Sequence, residues 1–438
     1  MKMTLPVVAG FLIFLIPALS ADLDAALEPE LASLEALYKE LHRNPELSLE
    51  ERRTAARIAD ELRTADFEVT TGVGGTGVVG VLRNGPGKTV MIRTDLDALP
   101  VVEQTGLPYA STVRAHRDAG EVGVMHACGH DMHMTSFVGA ARMLSRLKAE
   151  WSGTLVMIGQ PAEELGQGAR ATLRDGLFTR FPRPDFVLAL HVAADLPAGS
   201  IGYRPGYALA AVDSVDIKIR GIGGHGAWPH RTRDPVVIAA HVITALQTIA
   251  SRETDPQDAV VVTVGSIHGG TKHNIIGPEV ALQLTVRTYS EQTRTRVLHA
   301  IERITFNTAR ALGVPDDRLP EVRFPEESTP ATYNTPRLGE RLLPVWQAAL
   351  GPERVAEVGA VMGGEDFSEF GRTPEKIPIF MFWLGAIDEP RYAARNAGNP
   401  LPALHSPQFW PAIHPTIRTG VTAMTVAALD LFRSGGAR

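Results

Sequence analysis

Short apolar runs alternate with helical stretches along most of the chain, and this alternation restricts the folds that the chain can adopt. Five runs are predicted to be buried strands: residues 78–82, 89–92, 154–158, 186–190 and 379–384. Helical spacing of apolar residues separates several of them, notably at residues 132–147 and 338–350. Strands that alternate with helices indicate an α/β domain with a mainly parallel sheet.

One region departs from this rhythm. From about residue 206 to 319 the pattern predicts strand, helix, strand, strand and helix, an order typical of a ferredoxin-like α+β unit. A further strand is expected near Val322. We therefore predict that the α/β domain is split into residues 22–205 and 320–438, with residues 206–319 inserted between them.

The N-terminal residues 1–21 have the pattern of a signal peptide. Lys2 precedes an apolar run at residues 5–19, and Ala18 and Ser20 offer the small side chains that a signal peptidase reads. A retained membrane anchor is the alternative, but the run is short for a span and Pro17 interrupts it. We expect an exported protein, periplasmic or secreted, without a stable membrane span after cleavage.

The composition argues against a nucleic-acid partner. The formal net charge is −6, and the chain contains no concentrated run of basic residues. Its one cysteine, Cys128, cannot form an internal disulfide. In an oxidising compartment this thiol would be vulnerable unless it were buried or bound to a metal.

Polar side chains follow the predicted strands. Ligands of open α/β sheets bind beyond the carboxyl ends of strands, so these side chains are expected to converge. They comprise Asp95 and Asp97 in RTDLDALP, Glu163 and Glu164 in QPAEELG, His191 in ALHV, and His405 in LHSP. Taken singly, such residues are more often solvated loop charges or structural histidines.

The motif HACGHDMH is more specific, because it places three histidines, an acid and the only cysteine within eight residues. Such clusters are typical of metal sites. Imidazole and carboxylate suit zinc, manganese or cobalt, and the thiolate favours zinc. Two neighbouring ions would hold a water and a carbonyl oxygen together, and one acid of the Glu163–Glu164 pair would act as general base while the other binds metal.

The predicted insertion contributes GGHGAWPH, GGTKHNIIG and TVRT. A histidine in a glycine-rich bend, His225, suits a group that completes a site on closure, although a plain surface hairpin is the simpler interpretation. Arg287 suits a substrate carboxylate, but alone it is more typical of a surface strand.

Together these motifs resemble the amidohydrolase branch of the aminoacylase/carboxypeptidase dinuclear metallohydrolases, which includes hippurate hydrolases, N-acetyl amino acid deacetylases and auxin–amino acid conjugate hydrolases. The resemblance covers about residues 37–432 and is carried by LHRNPELSLEE, RTDLDALP, HACGHDMH, QPAEELGQGA, ALHV, GGHGAWPH, GGTKHNIIG, TVRT, GGEDFSEF and LHSP. It implies an α/β metallohydrolase domain with an inserted ferredoxin-like lid and dimerisation domain.

The resemblance also assigns roles to individual residues. It implies metal ligands at Cys128, His130, Glu164, His191 and His405, a catalytic base at Glu163, a supporting aspartate at Asp97, a carbonyl-polarising histidine at His225, and substrate contacts at Asn274 and Arg287. His225 is expected to serve the site of the other subunit in a homodimer. After LHSP, the usual acidic stretch is replaced by QFWPAIHPT, which leaves substrate preference and the subunit contact open.

The implied activity is hydrolysis of the amide bond of an N-acyl amino acid, of hippurate or N-acetyl type, with two divalent ions per subunit. Zinc or manganese is expected, with cobalt or nickel as alternatives. A metallocarboxypeptidase or dipeptidase with the same site is the main alternative. A non-catalytic binding protein would be favoured by a missing ligand, and a structural zinc site by closely spaced ligands, whereas these extend from residue 128 to 405.

Overall fold

The computed structural model describes residues 23–117, 120–325, 328–395 and 400–433. The predicted signal peptide, residues 1–21, lies outside them. The described residues form two compact units. The α/β unit comprises those up to Gly206, Tyr333–Gly359 and those from Asp366 onward, and the α+β unit comprises Tyr207–Thr332 and Ala360–Glu365.

The strands and helices follow one another as the alternation of the sequence indicates. The strands are β1 (Glu68–Val73), β2 (Gly77–Asn84), β3 (Lys88–Asp95), β4 (Arg114–Arg117), β5 (Gly120–Gly123), β6 (Gly153–Gln160), β7 (Phe186–Pro197), β8 (Ile201–Tyr203), β9 (Gly206–Leu209), β10 (Ala211–Arg220), β11 (Gly224–His225), β12 (Val260–Gly269), β13 (Ile275–Ile276), β14 (Glu279–Thr288), β15 (Glu321–Arg323), β16 (Ser328–Thr329), β17 (Thr332–Asn334), β18 (Val355–Glu357) and β19 (Ile379–Ile387). The helices are α1 (Leu31–Arg43), α2 (Arg52–Thr64), α3 (His130–Arg146), α4 (Gly168–Arg174), α5 (Leu177–Arg180), α6 (Pro235–Thr248), α7 (Glu291–Ala311), α8 (Pro336–Leu350), α9 (Glu369–Arg372), α10 (Glu389–Ala394) and α11 (Ile413–Phe432).

An eight-stranded sheet in the order β1-β2-β6-β3-β7-β19-β8-β18 forms the centre of the α/β unit. Its middle strands β6, β3, β7 and β19 are parallel, whereas β2 and β8 run antiparallel to their inner neighbours. All five predicted strands lie in this sheet. The residues of β3, β6, β7 and β19 form nearly continuous apolar runs because parallel sheets are covered on both faces.

Helices α3 and α11 pack together against this sheet at a close approach that only glycine permits. A Cβ added at Gly139 would lie 2.3 Å from Val421 Cγ2, and one at Gly420 would lie 2.4 Å from Ser136 Oγ. Almost every residue of α3 is buried. The helix that begins at His130 is therefore fixed by packing along its whole length, which gives the residues at its N-terminus a rigid support.

In the α+β unit, an antiparallel sheet in the order β12-β14-β10-β15 packs against α6 and α7, and β16 also pairs with β10. The order of elements is the predicted ferredoxin-like one. The unit extends beyond the predicted boundary at residue 319 because β15 and β16 pair with β10. One described helix, Pro235–Glu253, has the length and apolarity of a membrane span; Ile238, Val242 and Leu246 of this helix are buried in the core of the unit.

Candidate metal centre

The residues predicted to bind metal, together with the predicted base Glu163 and the supporting Asp97, lie at the carboxyl edge of the parallel strands. Strand β3 leads into Asp97, and the neighbouring β6 leads into Glu163 and Glu164, while His191 lies within β7 on the other side of β3. Because these three strands are adjacent and parallel, their carboxyl ends bring the four side chains together.

Cys128 and His130 enter the same edge from the turn that starts α3. Gly129, between them, adopts a left-handed conformation with φ of 79°, and a Cβ there would lie 2.5 Å from Val192 Cγ2. The turn therefore requires glycine. Cys128 Sγ lies 3.5 Å from His191 Nε2 and 3.3 Å from His405 Nε2.

These side chains form overlapping groups of three, and the donor atoms of each group are close enough together to bind one metal ion. One group is Cys128, His130 and His191; another is Cys128, Glu164 and His405; a third is His130, Glu163 and Glu164. Within each group the donor atoms lie within 4.8 Å of one another. All five predicted ligands are thus brought together, and Cys128 belongs to two groups, an arrangement that suits two neighbouring ions.

The polar atoms of the site fit a cation. His130 Nε2 and Glu164 Oε1 are buried without a hydrogen-bond partner among the described residues, and such atoms are costly unless they have a ligand. Burial together with the carboxylates of Asp97 and Asp95 raises the pKa of Glu164 to about 7. Burial and the nearby Glu164 also raise the pKa of the Cys128 thiol. Divalent ions would favour the ionised form of both groups.

Hydrogen bonds decide which histidines of the site can bind metal. His130 Nδ1 donates to the Asp97 carbonyl at 2.8 Å, and His191 Nδ1 donates to the Val192 carbonyl at 2.8 Å, so each presents the lone pair of Nε2. His133 uses both nitrogens, donating to Asp95 Oδ1 and accepting from Val192 N, each at 2.8 Å. Neither ring nitrogen of His133 is therefore free to bind a metal, and this histidine supports the site through its hydrogen bonds.

A buried polar network lies beneath the site, and its extent was not predicted from the sequence. Arg93, inside β3, donates to Asp95 at 2.8 Å, to Gln160 at 2.9 Å and to Asp366 at 3.2 Å. Gln160 and the backbone N–H of Ala169 also donate to Asp366, at 2.7 and 2.9 Å. Two features of the sequence point to this network: the charged residue Arg93 within an apolar strand, and the acidic residues of GGEDFSEF.

The predicted residues of the insertion lie in the α+β unit. His225, on β11, is exposed, and its Nδ1 accepts a hydrogen bond from Ala227 N at 3.0 Å. Asn274 lies on the same small ribbon, since its carbonyl accepts from Gly226 N at 2.9 Å. Arg287, on β14, is half-buried, donates to Thr285 Oγ1, and has no carboxylate partner among the described residues. Burial lowers the pKa of its guanidinium.

A thiol, imidazole and carboxylate centre at the carboxyl edge of this sheet, in a chain with an inserted α+β unit, defines a dinuclear metallohydrolase. The chain belongs to peptidase family M20/M25/M40, whose model matches residues 91–400.

Three similar proteins illustrate the range of this family. The chain is 36% identical to thermostable carboxypeptidase 2 of Saccharolobus solfataricus, over 81% of this chain and 86% of that protein. It is 37% identical to N-acetyldiaminopimelate deacetylase of Bacillus subtilis, over 82% of this chain and 91% of that protein. The crystal structure of a dinuclear metal-binding M20 peptidase from Bacillus subtilis superposes with a TM-score of 0.76 and 29% identity, covering 93% of this chain and 99% of that one.

Membership confirms the predicted fold and family. The chain is a metal-dependent hydrolase of amide bonds, and its donor set together with the dinuclear relative supports two divalent ions.

Proposed function

We propose that the protein hydrolyses the amide bond of N-acyl amino acids, of hippurate or N-acetyl type. The observation that carries this proposal is Arg287, a half-buried guanidinium without a carboxylate partner among the described residues. An unpaired cation of this geometry suits bidentate binding of a substrate carboxylate. The names of the relatives, a carboxypeptidase and a deacetylase of an N-acetylated amino acid, agree with a substrate that carries an amino-acid carboxylate.

The chemistry is hydrolysis by an activated water. Bound divalent ions supply a Lewis acid and lower the pKa of water. The Glu163 carboxylate accepts a proton from the water as its oxygen attacks the amide carbon, and then delivers that proton to the leaving amine nitrogen. Asp97 supports the site through hydrogen bonds from Ser48 Oγ at 2.6 Å and Glu164 N at 3.0 Å. The products are a free carboxylic acid and an amino acid.

We assign the α+β residues to substrate contacts. The His225 imidazole polarises the scissile carbonyl and stabilises the oxyanion. Asn274 binds a substrate oxygen, and Arg287 binds the carboxylate. His225 suits its role because it is exposed on a short ribbon between glycines, with Nε2 available once Nδ1 has accepted the Ala227 N–H.

The test compares hippurate with its amide, hippuramide, in wild type and Arg287→Ala. Wild type should prefer hippurate by at least about tenfold in kcat/KM, since a charged hydrogen bond is worth roughly 1.5–3 kcal/mol. Arg287→Ala should lose that preference. Arg296→Ala is the control, because Arg296 is a surface arginine of the same unit paired with Asp258. If wild type hydrolyses hippurate and hippuramide with equal kcat/KM, the proposal is overturned.

The alternative is a metallocarboxypeptidase or dipeptidase. It shares the metal centre and the carboxylate contact, and differs in what stands on the acyl side of the amide bond. Hippurate, N-acetyl amino acids and dipeptides assayed side by side separate the two. The highest kcat/KM on a dipeptide would favour the alternative.

We propose zinc or manganese as the native metal, with cobalt or nickel as alternatives. The Cys128 thiolate favours zinc, whereas the carboxylate of Glu164 suits manganese equally well. Elemental analysis of the protein purified without added metal, followed by activity after reconstitution with each ion, distinguishes them.

We propose a homodimer formed through the α+β unit. Helix α6 exposes Val236 and Val237, and β12 is the edge strand of its sheet, with Ile267 exposed. An exposed edge strand beside an apolar helix face favours pairing with an identical unit.

We also propose export to the periplasm or beyond, supported by residues 1–21. A mature protein that begins after this segment, as measured by intact mass, would agree with this proposal.

A further inference from the structure

The segment 41–51, LHRNPELSLEE, contacts the metal centre through more residues than Ser48. Ser48 Oγ donates to Asp97. His42 Nδ1 pairs at 2.6 Å with Asp131, the residue that directly follows the ligand His130 in the sequence. The last residue of the segment, Glu51, is fully buried. One of its hydrogen-bond partners, Ala162, lies on the loop that carries Glu163 and Glu164.

The Glu51 carboxylate accepts three hydrogen bonds. Its Oε1 accepts from Leu49 N and Ala162 N, both at 2.8 Å, and its Oε2 accepts from Thr76 Oγ1 at 2.6 Å. The two residues that share Oε1 are far apart in sequence, so this one carboxylate joins the N-terminal segment to the loop after β6. Hydrogen bonds to an ionised acceptor are the stronger kind.

Ala162 has an unfavourable backbone conformation. Its φ is +49°, in the left-handed region that non-glycine residues rarely adopt. Its carbonyl accepts from Gln167 N and Gly168 N at 3.3 and 3.2 Å, which closes the loop behind it. Ala162 directly precedes Glu163, so a change at its dihedral angles would redirect both acids of the pair.

We propose that Glu51 is a positioning residue that holds Ala162 in this strained conformation and thereby fixes the directions of Glu163 and Glu164. The part that concerns Glu163 as base rests on the proposed function. The part that concerns Glu164 rests only on its place in the metal centre. Strain of this kind persists where the surrounding structure over-determines it, and the Glu51 carboxylate supplies that constraint here.

The experiment compares Glu51→Ala, Glu51→Gln and Glu46→Ala with wild type. Glutamine keeps an oxygen that can accept both N–H groups, whereas alanine leaves them unpaired. Glu46 is the matched control, because its carboxylate also accepts a backbone N–H and a threonine hydroxyl, but both come from Thr54 on α2 and not from the loop after β6.

Zinc affinity is measured on metal-free protein by competition with a chromophoric chelator, and kcat and KM are measured on N-acyl amino acids. Glu51→Ala should weaken zinc binding at least about tenfold, the usual loss when a residue that orients a metal ligand is removed. Its kcat should fall by at least about tenfold with a smaller change in KM, because positioning acts on the reacting groups. Glu51→Gln and Glu46→Ala should stay close to wild type in both measurements.

A backbone rescue provides the sharper readout. Glycine adopts positive φ without penalty, so adding Ala162→Gly to Glu51→Ala should raise kcat at least about fivefold above that of Glu51→Ala alone. Ala162→Gly by itself should change the wild-type kcat little. A general loss of stability at Glu51 would not be repaired in this way. If Glu51→Ala does not fold, Glu51→Asp replaces it, since its carboxylate is one methylene shorter and cannot reach both N–H groups.

Unchanged zinc affinity and kcat in Glu51→Ala, equal losses in Glu51→Gln, or no rescue by glycine would each overturn the proposal. If wild type hydrolyses no N-acyl amino acid, the proposed function fails, while the zinc comparison still tests Glu51.

Discussion

Replacing Arg93 by methionine tests how much the network beneath the metal centre stabilises the α/β unit. The Arg93 side chain has no solvent exposure and donates to Asp95, Gln160 and Asp366. Methionine fills much of the same volume with apolar atoms. It therefore leaves two fully buried carboxylates, Asp95 and Asp366, without their shared cation.

The expected loss in the free energy of unfolding depends on the hydrogen-bond partners that each carboxylate keeps. Removing one partner of a buried ion pair costs about 3–5 kcal/mol, because the remaining charge is left uncompensated. Asp95 keeps His133, and Asp366 keeps the side chain of Gln160 and the Ala169 N–H. We therefore expect the lower end, a loss of about 3 kcal/mol in the free energy of unfolding.

The assay is urea unfolding of the metal-free proteins, followed by tryptophan fluorescence. Arg83→Met is the control, because Arg83 lies in the same sheet but is 59% exposed and pairs with the exposed Glu68. That substitution should cost less than about 1 kcal/mol. Adding Asp366→Asn to Arg93→Met should recover part of the loss. Equal losses in Arg93→Met and Arg83→Met would refute the reasoning.

Four further outcomes are expected. Glu163→Gln should retain metal but lower kcat at least about 10²-fold, and near-normal turnover would contradict the general-base assignment. Cys128 should resist alkylation in metal-loaded protein and react faster after chelation; equal rates would argue against ligation. Mixing Glu163→Gln with His225→Ala under subunit exchange should restore about a quarter of wild-type activity if His225 serves the partner's site, and none otherwise. Burial opposes protonation of His42, but Asp131 and Glu103 outweigh it and raise its pKa to about 9 from 6.5. Its stabilisation is therefore complete below about pH 6.5 and is lost as the pH rises through about 9. The difference in unfolding free energy between wild type and His42→Gln should accordingly shrink over that range in urea titrations.

Much of the fold could be predicted from the sequence, because buried parallel strands such as β3 and β6 are apolar runs of the right length. Strand β1 was not predicted, since it lies at the sheet edge and most of its residues are not buried. Helix α11 was not predicted either. It is buried on nearly all sides and rich in threonine and alanine, so it has no apolar stripe for periodicity to detect.

The candidate site could be predicted where its chemistry is concentrated in short motifs. HACGHDMH indicated a metal, but its residue types alone could not separate His130 from His133, because only their hydrogen bonds differ. The contact between Glu51 and Ala162 was beyond reach as well. It joins two segments that are distant in the chain, and one sequence carries no signal of such a pairing.

The position of β19 has a consequence for synthesis of the chain. This strand lies between β7 and β8 in the sheet order, although it comes from residues near the end of the sequence. A growing chain that has not yet reached Ile379 has an open edge on β7, which is the kind of edge that invites aggregation. The α+β unit, by contrast, has all of its strands once residue 332 is made. We expect it to fold first, while the sheet that carries the metal ligands can close only when translation is nearly finished.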